Sequence, residues 1–161
     1  MIFVTLGSQK FQFNRLLKEL DRLVESGVIS DEIFAQTGYS DYVPQHYSYK
    51  NFLNRDEFAE YTKKCDIFIT HGGTGAIIGA VKKGKKVIAV PRLAKYGEHV
   101  DDHQLQLIRQ FDEMKLIEAC NDTEHLGESY RTALNTTYEV YESNTQTILD
   151  DIEAYIEGVN L

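Results

Sequence analysis

The chain is poor in cysteine, proline and positive charge, and each shortage removes a class of protein. Its two cysteines, Cys65 and Cys120, stand far apart and without metal-type spacing, so neither a disulfide framework nor a zinc site is indicated. Both border apolar runs and read as reduced core residues of a cytosolic protein. With only Pro44 and Pro91, and no repeat or low-complexity stretch, no linker is evident. The 161 residues therefore read as one domain, long enough to bury a core without staples. Lys and Arg number 17 against 25 Asp and Glu, a formal net charge of −8. That balance argues against a nucleic-acid partner, whose phosphates call for a concentrated basic surface. The basic clusters Lys63-Lys64 and Lys82-Lys83 with Lys85-Lys86 are short and suit the carbonyl ends of helices. No apolar run approaches the ~20 residues needed to span a bilayer. No signal peptide is read either, because Met1 leads straight into the strand-like Ile2-Phe3-Val4. Two motifs are also missing: Asp-x-Asp, which would hold a metal, and G-x-G-x-x-G after the first strand.

What is present is an alternation of short apolar runs with amphipathic stretches, the pattern of βα units and a mostly parallel sheet. Strands are expected at residues 2–5, 32–36, 46–49, 67–70, 87–90 and 116–119. Leu16, Leu17, Leu20, Leu23 and Val24 recur at helical spacing, as Phe58, Tyr61 and Thr62 do more weakly within residues 55–64. Residues 101–111 carry Leu105, Leu107, Ile108 and Phe111 behind a polar start suited to capping. Residues 39–49, rich in tyrosine, fit no regular element. Two acidic helices are expected at 128–140 and 144–157, the second with Ile148, Leu149, Ile152, Tyr155 and Ile156 on one stripe. That stripe covers the chain's own sheet or docks on another protein.

Chemistry concentrates between residues 65 and 104. The apolar run 67–69 ends at Thr70-His71 and passes directly into Gly72-Gly73-Thr74-Gly75, which opens a helix-like segment. A buried strand feeding a glycine turn aims backbone N–H groups at a phosphate. The glycines let the backbone approach a ligand closely, and His71 could donate to a phosphate oxygen or serve as a hydrogen-bonded structural group at the strand end. A tight turn without a ligand is the plain alternative. Gly7 and Ser8 form a second glycine-bearing turn after the first strand, and an ordinary βα turn would account for it equally. After the strand at 87–90 and Pro91 come Asp102, His103 and Gln104, which mix donors and acceptors as sugar hydroxyls require. Helix capping would account for one of the three. All these turns fall on the edge of a sheet where open α/β folds bind ligands.

Three blocks, Val4-Thr5-Leu6-Gly7-Ser8, Thr70-His71-Gly72-Gly73-Thr74-Gly75 and Asp102-His103-Gln104, in this order and with Val87 to Pro91 between the last two, resemble the nucleotide-sugar-binding half of GT-B glycosyltransferases. The likeness is to family 28 and spans roughly residues 1–120. Within it, the chain is similar to the small catalytic subunit of the two-part dolichol-linked N-acetylglucosaminyltransferase and to bacterial counterparts in capsule and exopolysaccharide synthesis. The resemblance implies a Rossmann-like α/β fold equivalent to the C-terminal half of a GT-B enzyme. It implies a donor diphosphate at Gly7, Ser8, His71, Gly72, Gly73, Thr74 and Gly75, and a donor hexose at Asp102, His103 and Gln104. The relatives usually carry a Glu on the helix after the glycine turn that clasps the ribose; this chain has Gly79 there.

The implied reaction moves a hexose from a UDP-sugar to a polyprenyl-diphosphate-linked saccharide, inverting the anomeric carbon without a metal or other cofactor. Galactose, glucuronic acid and N-acetylglucosamine all fit. No general base is evident in the chain, so a membrane-anchored acceptor-binding subunit is expected to complete the cleft and bring this cytoplasmic chain to the membrane. Self-association as a homodimer is an open outcome for the isolated chain. Two other readings stay open: a non-catalytic enhancer subunit, which Gly79 favours, and a generic nucleotide-binding Rossmann protein.

Overall fold

A computed structural model describes residues 1–140 and residue 142. The elements run β1 (Ile2–Thr5), α1 (Asn14–Glu25), β2 (Ile33–Gln36), β3 (Ser48–Lys50), α2 (Arg55–Lys64), β4 (Ile67–Thr70), α3 (Thr74–Lys82), β5 (Lys86–Ala89), α4 (His103–Glu113), β6 (Glu118–Ala119) and α5 (Leu126–Leu134). All strand pairs are parallel, in the order β3-β2-β1-β4-β5-β6. The expected Rossmann-like α/β architecture is therefore what the chain adopts. The order runs one way from β1 to β3 and the other way from β4 to β6. The crevice at such a reversal lies outside the strand C-termini. In register, Thr5 of β1 pairs with Thr70 of β4, and Thr70 with Ala89 of β5. The three loops that follow these residues consequently rise from one level of the sheet.

β1 and β4 are buried along their whole length, as strands covered on both faces must be. Alternate side chains supply two cores. Ile2, Val4, Ile67 and Ile69 pack with α1 and α5 through Leu16, Leu20, Leu126 and Tyr130. Phe3, Phe68, Val87 and Ala89 pack on the other face with α3 and α4 through Ile77, Ala80, Ile108 and Phe111. Among the described residues, no helix is long and apolar enough to cross a membrane.

Several boundaries move for identifiable reasons. The third strand starts at Ser48 rather than residue 46, because the preceding segment is tied to α1. Asp21, buried on α1, accepts from the Tyr42 hydroxyl and from the backbone N–H of Gln45 and His46, while the Tyr47 hydroxyl donates to Leu17 O. This also places the tyrosine-rich stretch that periodicity could not. The sixth strand shrinks to Glu118–Ala119. Lys115 adopts a left-handed conformation (φ 59°) at the end of α4, and Leu116 N–H returns to Phe111 O at 3.3 Å, which caps that helix before any strand can begin. The helix expected at 128–140 ends at Leu134. Asn135 and Thr136 side chains turn back to Arg131 O and Thr132 O, and Glu139 N–H then donates to Lys115 O. β5 and α4 are displaced by one and two residues from 87–90 and 101–111. The stripe expected at 144–157 lies outside the described residues.

Candidate functional site

The β4–α3 turn is organised around His71, whose side chain is almost fully enclosed, with 6% of the residue exposed. Its Nδ1 lies 3.3 Å from Gln104 Nε2 on α4. Gln104 Oε1 accepts from Gly72 N–H at 3.2 Å and from Arg92 N–H at 3.1 Å. Those two backbone donors fix which end of the amide is oxygen, so Nε2 is the donor toward His71 and Nδ1 the acceptor. In a neutral imidazole the proton then sits on Nε2. Burial pushes the His71 pKa down to about 3, and the Arg92 charge acts in the same direction, so the ring is neutral near pH 7.

The Nε2 edge of the ring lies between two glycines. A Cβ on Gly7 would come within 2.6 Å of Nε2, and one on Gly73 within 2.5 Å of Cε1 and 2.8 Å of Nε2. Neither position can carry a side chain while the imidazole stays where it is. Gly7 has the further constraint of a φ of +73°. Gly72 answers a different demand, since a Cβ there would lie 2.4 Å from Gln104 Cβ and push α4 away. Gly75 answers no packing demand: it is exposed, and a Cβ would meet nothing within 4 Å.

Helix α3 begins at Thr74 with Gly73 as its N-cap residue, no side-chain cap and no acidic residue in its first turn. Its first-turn N–H groups and the positive end of its dipole are thus left for an anion. The structure brings Gly7, His71, Gly72, Gly73, Thr74 and Gly75 to one sheet edge, and Ser8 is exposed beside Gly7.

The Asp102-His103-Gln104 block divides. Gln104 is buried and ties the β4 turn, the β5 loop and His71 together. Asp102 Oδ1 accepts from Ala94 N–H at 2.9 Å and so holds the short 3-10 turn Ala94–Tyr96. His103 opens α4 half-buried, with its N–H donated to Asp101 Oδ1 at 3.0 Å. Asp102 and Asp101 brace the loop, and Asp102 gives α4 no side-chain cap. Gly79 lies half-buried on α3, where an added Cβ would meet nothing within 4 Å.

Sequence reasoning missed a buried charge cluster under the β1–α1 loop. Arg92, Glu98 and Arg15 meet there, with Arg92 1% and Glu98 0% exposed. Arg15 grips Glu98 through both carboxylate oxygens, each at 3.0 Å. The available signal was Arg92 itself, a charge placed directly after the apolar run Val87 to Val90 and Pro91.

The family model for the glycosyltransferase family 28 C-terminal domain matches residues 1–156. Among solved structures, Acinetobacter baumannii MurG is similar at 18% identity and a TM-score of 0.56, over 94% of this chain and 49% of that one. The glycotransferase of kitacinnamycin is similar at 13% identity and a TM-score of 0.55, over 98% of this chain and 39% of that one. The chain thus spans half or less of the length of these structures. No curated protein matches the sequence.

Proposed function

The chain belongs to the glycosyltransferase family 28 C-terminal domain family, and from that premise we propose that it is the donor-binding part of a UDP-sugar-dependent hexosyltransferase. The observation that carries this reading is the neutral His71, locked by Gln104 and presenting Nε2–H between Gly7 and Gly73 beside the uncapped start of α3. A diphosphate asks for hydrogen-bond donors without competing acceptors, and those two elements supply them.

In the proposed reaction, an acceptor hydroxyl attacks the anomeric carbon while a base removes its proton. The bond from that carbon to the diphosphate oxygen breaks, and UDP leaves with the electron pair. Charge grows on the departing diphosphate, which the α3 amides and His71 Nε2–H are proposed to meet, and donors of that kind would stabilise it without calling on a metal ion. Inversion follows from a single displacement. Asp102 and His103 lie at the mouth of the same edge and are the proposed contacts to the hexose. Gln104, with its amide engaged inside the protein, is proposed to act on the donor by holding this edge in shape.

The acceptor is proposed to be a polyprenyl-diphosphate-linked saccharide of capsule, exopolysaccharide or lipid-linked oligosaccharide synthesis. It and the general base are assigned to a membrane-anchored partner that draws the chain to the cytoplasmic face of the membrane. The test is UDP-sugar turnover on a lipid-linked acceptor, with and without the co-expressed partner. Transfer only in the presence of both supports the reading, and full transfer by this chain alone removes the partner from it. A second reading, an enhancer subunit without chemistry of its own, draws support from Gly79. There the chain lacks the side chain with which relatives hold ribose. A partner that transfers equally well alongside a His71→Ala form of this chain would favour it.

A further inference from the structure

We propose that Arg92 is a positioning residue of the donor site: it clamps the two ends of the β1–α1 loop and provides the buried positive charge that a bound diphosphate neutralises. This rests on the donor-binding reading above and adds a residue to it.

The clamp is geometric. One guanidinium nitrogen, Nη2, donates to Leu6 O at 2.7 Å and to Phe11 O at 3.2 Å. These carbonyls bracket residues 7–10, the stretch that carries Gly7 against His71 and presents Ser8 to solvent. The ring of Phe13, at the far end of the same loop, lies 5.6 Å from the guanidinium carbon. Arg92 therefore sets the shape of the loop from below, while its own N–H is held by Gln104, the residue that also orients His71. One side chain and one amide thus join the β1, β4 and β5 loops.

Among the described residues, the charge has no ion-pair partner of its own. Glu98, the nearby carboxylate, spends both oxygens on Arg15, and Oε1 also accepts from Leu93 N–H at 3.0 Å. Among the described residues, no carboxylate forms an ion pair with Arg92, and its Nε and Nη1 are buried with no hydrogen-bond partner. Burial lowers the Arg92 pKa to about 10, against a smaller opposing pull from Glu98, which still leaves the group charged near pH 7. A buried guanidinium with two idle donors is unfavourable for folding, so its presence calls for a gain elsewhere. The gain available at this edge is electrostatic: a cation shielded from water acts on a nearby anion more strongly than an exposed one.

A purely structural Arg92 and a donor-site Arg92 differ in what its charge does to UDP binding and to the salt dependence of that binding. Arg92→Met keeps much of the volume and removes the buried charge together with the hydrogen bonds to Leu6 O and Phe11 O, so relief of an unpaired buried charge and loss of the clamp act on stability in opposite directions. UDP titration by calorimetry, at low and at moderate salt, and thermal unfolding should be measured for wild type, Arg92→Met and Arg92→Lys. The expected result is a methionine variant that still folds. Its affinity for UDP should fall about tenfold or more, with a flatter salt dependence. Arg92→Lys, which keeps the charge but not the planar guanidinium whose Nη2 reaches both carbonyls, should recover part of that affinity. A folded methionine variant that binds UDP as wild type does would overturn the proposal. So would a lysine variant that binds UDP no better than a folded methionine variant or, where methionine does not fold, a lysine variant that lacks the wild-type salt dependence. Wild-type protein that binds no UDP would instead remove the donor-binding reading itself, a result distinct from any of these.

Discussion

Gln104 Nε2 and His71 Nδ1 stand 3.3 Å apart, and through this contact a residue on α4 dictates which nitrogen of the β4-turn imidazole carries the proton. The same amide oxygen receives Gly72 N–H and Arg92 N–H. Gln104→Ala would strand two buried backbone donors and release the ring. Each orphaned donor costs roughly 1–3 kcal/mol, so a stability loss of about 2–6 kcal/mol is expected by denaturant unfolding. Affinities for UDP and for the UDP-sugar should fall together, since the staple supports the whole edge. Loss of UDP-sugar binding alone would instead mean that Gln104 touches the hexose.

The buried His71 makes stability depend on acid. Its pKa of about 3 lies below the 6.5 expected of an unfolded chain, so between those values the unfolded state takes up the extra proton. The contribution is complete above pH 6.5 and declines as pH falls toward 3, by up to ~1.4 kcal/mol per pH unit. Arg92 and His99 oppose protonation from the neighbouring β5 loop. In a His71→Gln protein the unfolding free energy should therefore fall less steeply with acid than in wild type. Parallel curves for the two proteins would show that this imidazole does not titrate in that range.

The glycines of the turn make separable predictions. At Gly73 an added Cβ would collide with the His71 ring, so Gly73→Ala should displace the imidazole, lower the melting temperature and weaken UDP binding. At Gly75 there is open space, so Gly75→Ala should leave the fold intact or gain a few tenths of a kcal/mol in helix propensity, within the ~1 kcal/mol Gly–Ala range. UDP protection in a thermal shift assay should drop even so, because a methyl group stands where the diphosphate approaches. Equal protection of Gly75→Ala and wild type would shift the anion away from α3.

Gly79 tests the departure from the family pattern. An added Cβ at Gly79 would meet nothing within 4 Å, and glutamate is a better helix former than glycine. Gly79→Glu should tighten UDP binding by supplying an acceptor for ribose hydroxyls, while binding of inorganic pyrophosphate stays unchanged. An unchanged UDP affinity would mean that ribose is recognised elsewhere.

Much of this edge was legible in the sequence because its signals are local. β1 and β4 announce themselves as short apolar runs, and the turn Gly72-Gly73-Thr74-Gly75 follows β4 with no intervening residue but His71. What the sequence could not disclose were the relations that arise only when loops distant in the chain meet. Gly7 and Gly73 read as room for a ligand, yet both first make room for the His71 ring. Gln104 read as a sugar contact, and its amide also holds partners 12, 32 and 33 residues away, which no local pattern announces. Arg92 carried no periodic signal, because its partners Leu6 and Phe11 lie more than 80 residues upstream. The strand at Ser48–Lys50 was misplaced for a related reason, Asp21 having taken the N–H groups of Gln45 and His46.

The turn His71 to Gly75, facing Gly7, is the proposed seat of the diphosphate of a nucleotide sugar, and everything else in the functional reading depends on it. The most direct measurement is a UDP titration of isotopically labelled protein followed by NMR. Saturable shifts should concentrate on the amides of Gly7, Gly73, Thr74 and Gly75 and on His71 Nε2–H, with inorganic pyrophosphate moving the same signals. Absence of saturable binding, or shifts confined to any other part of the fold, would contradict the account.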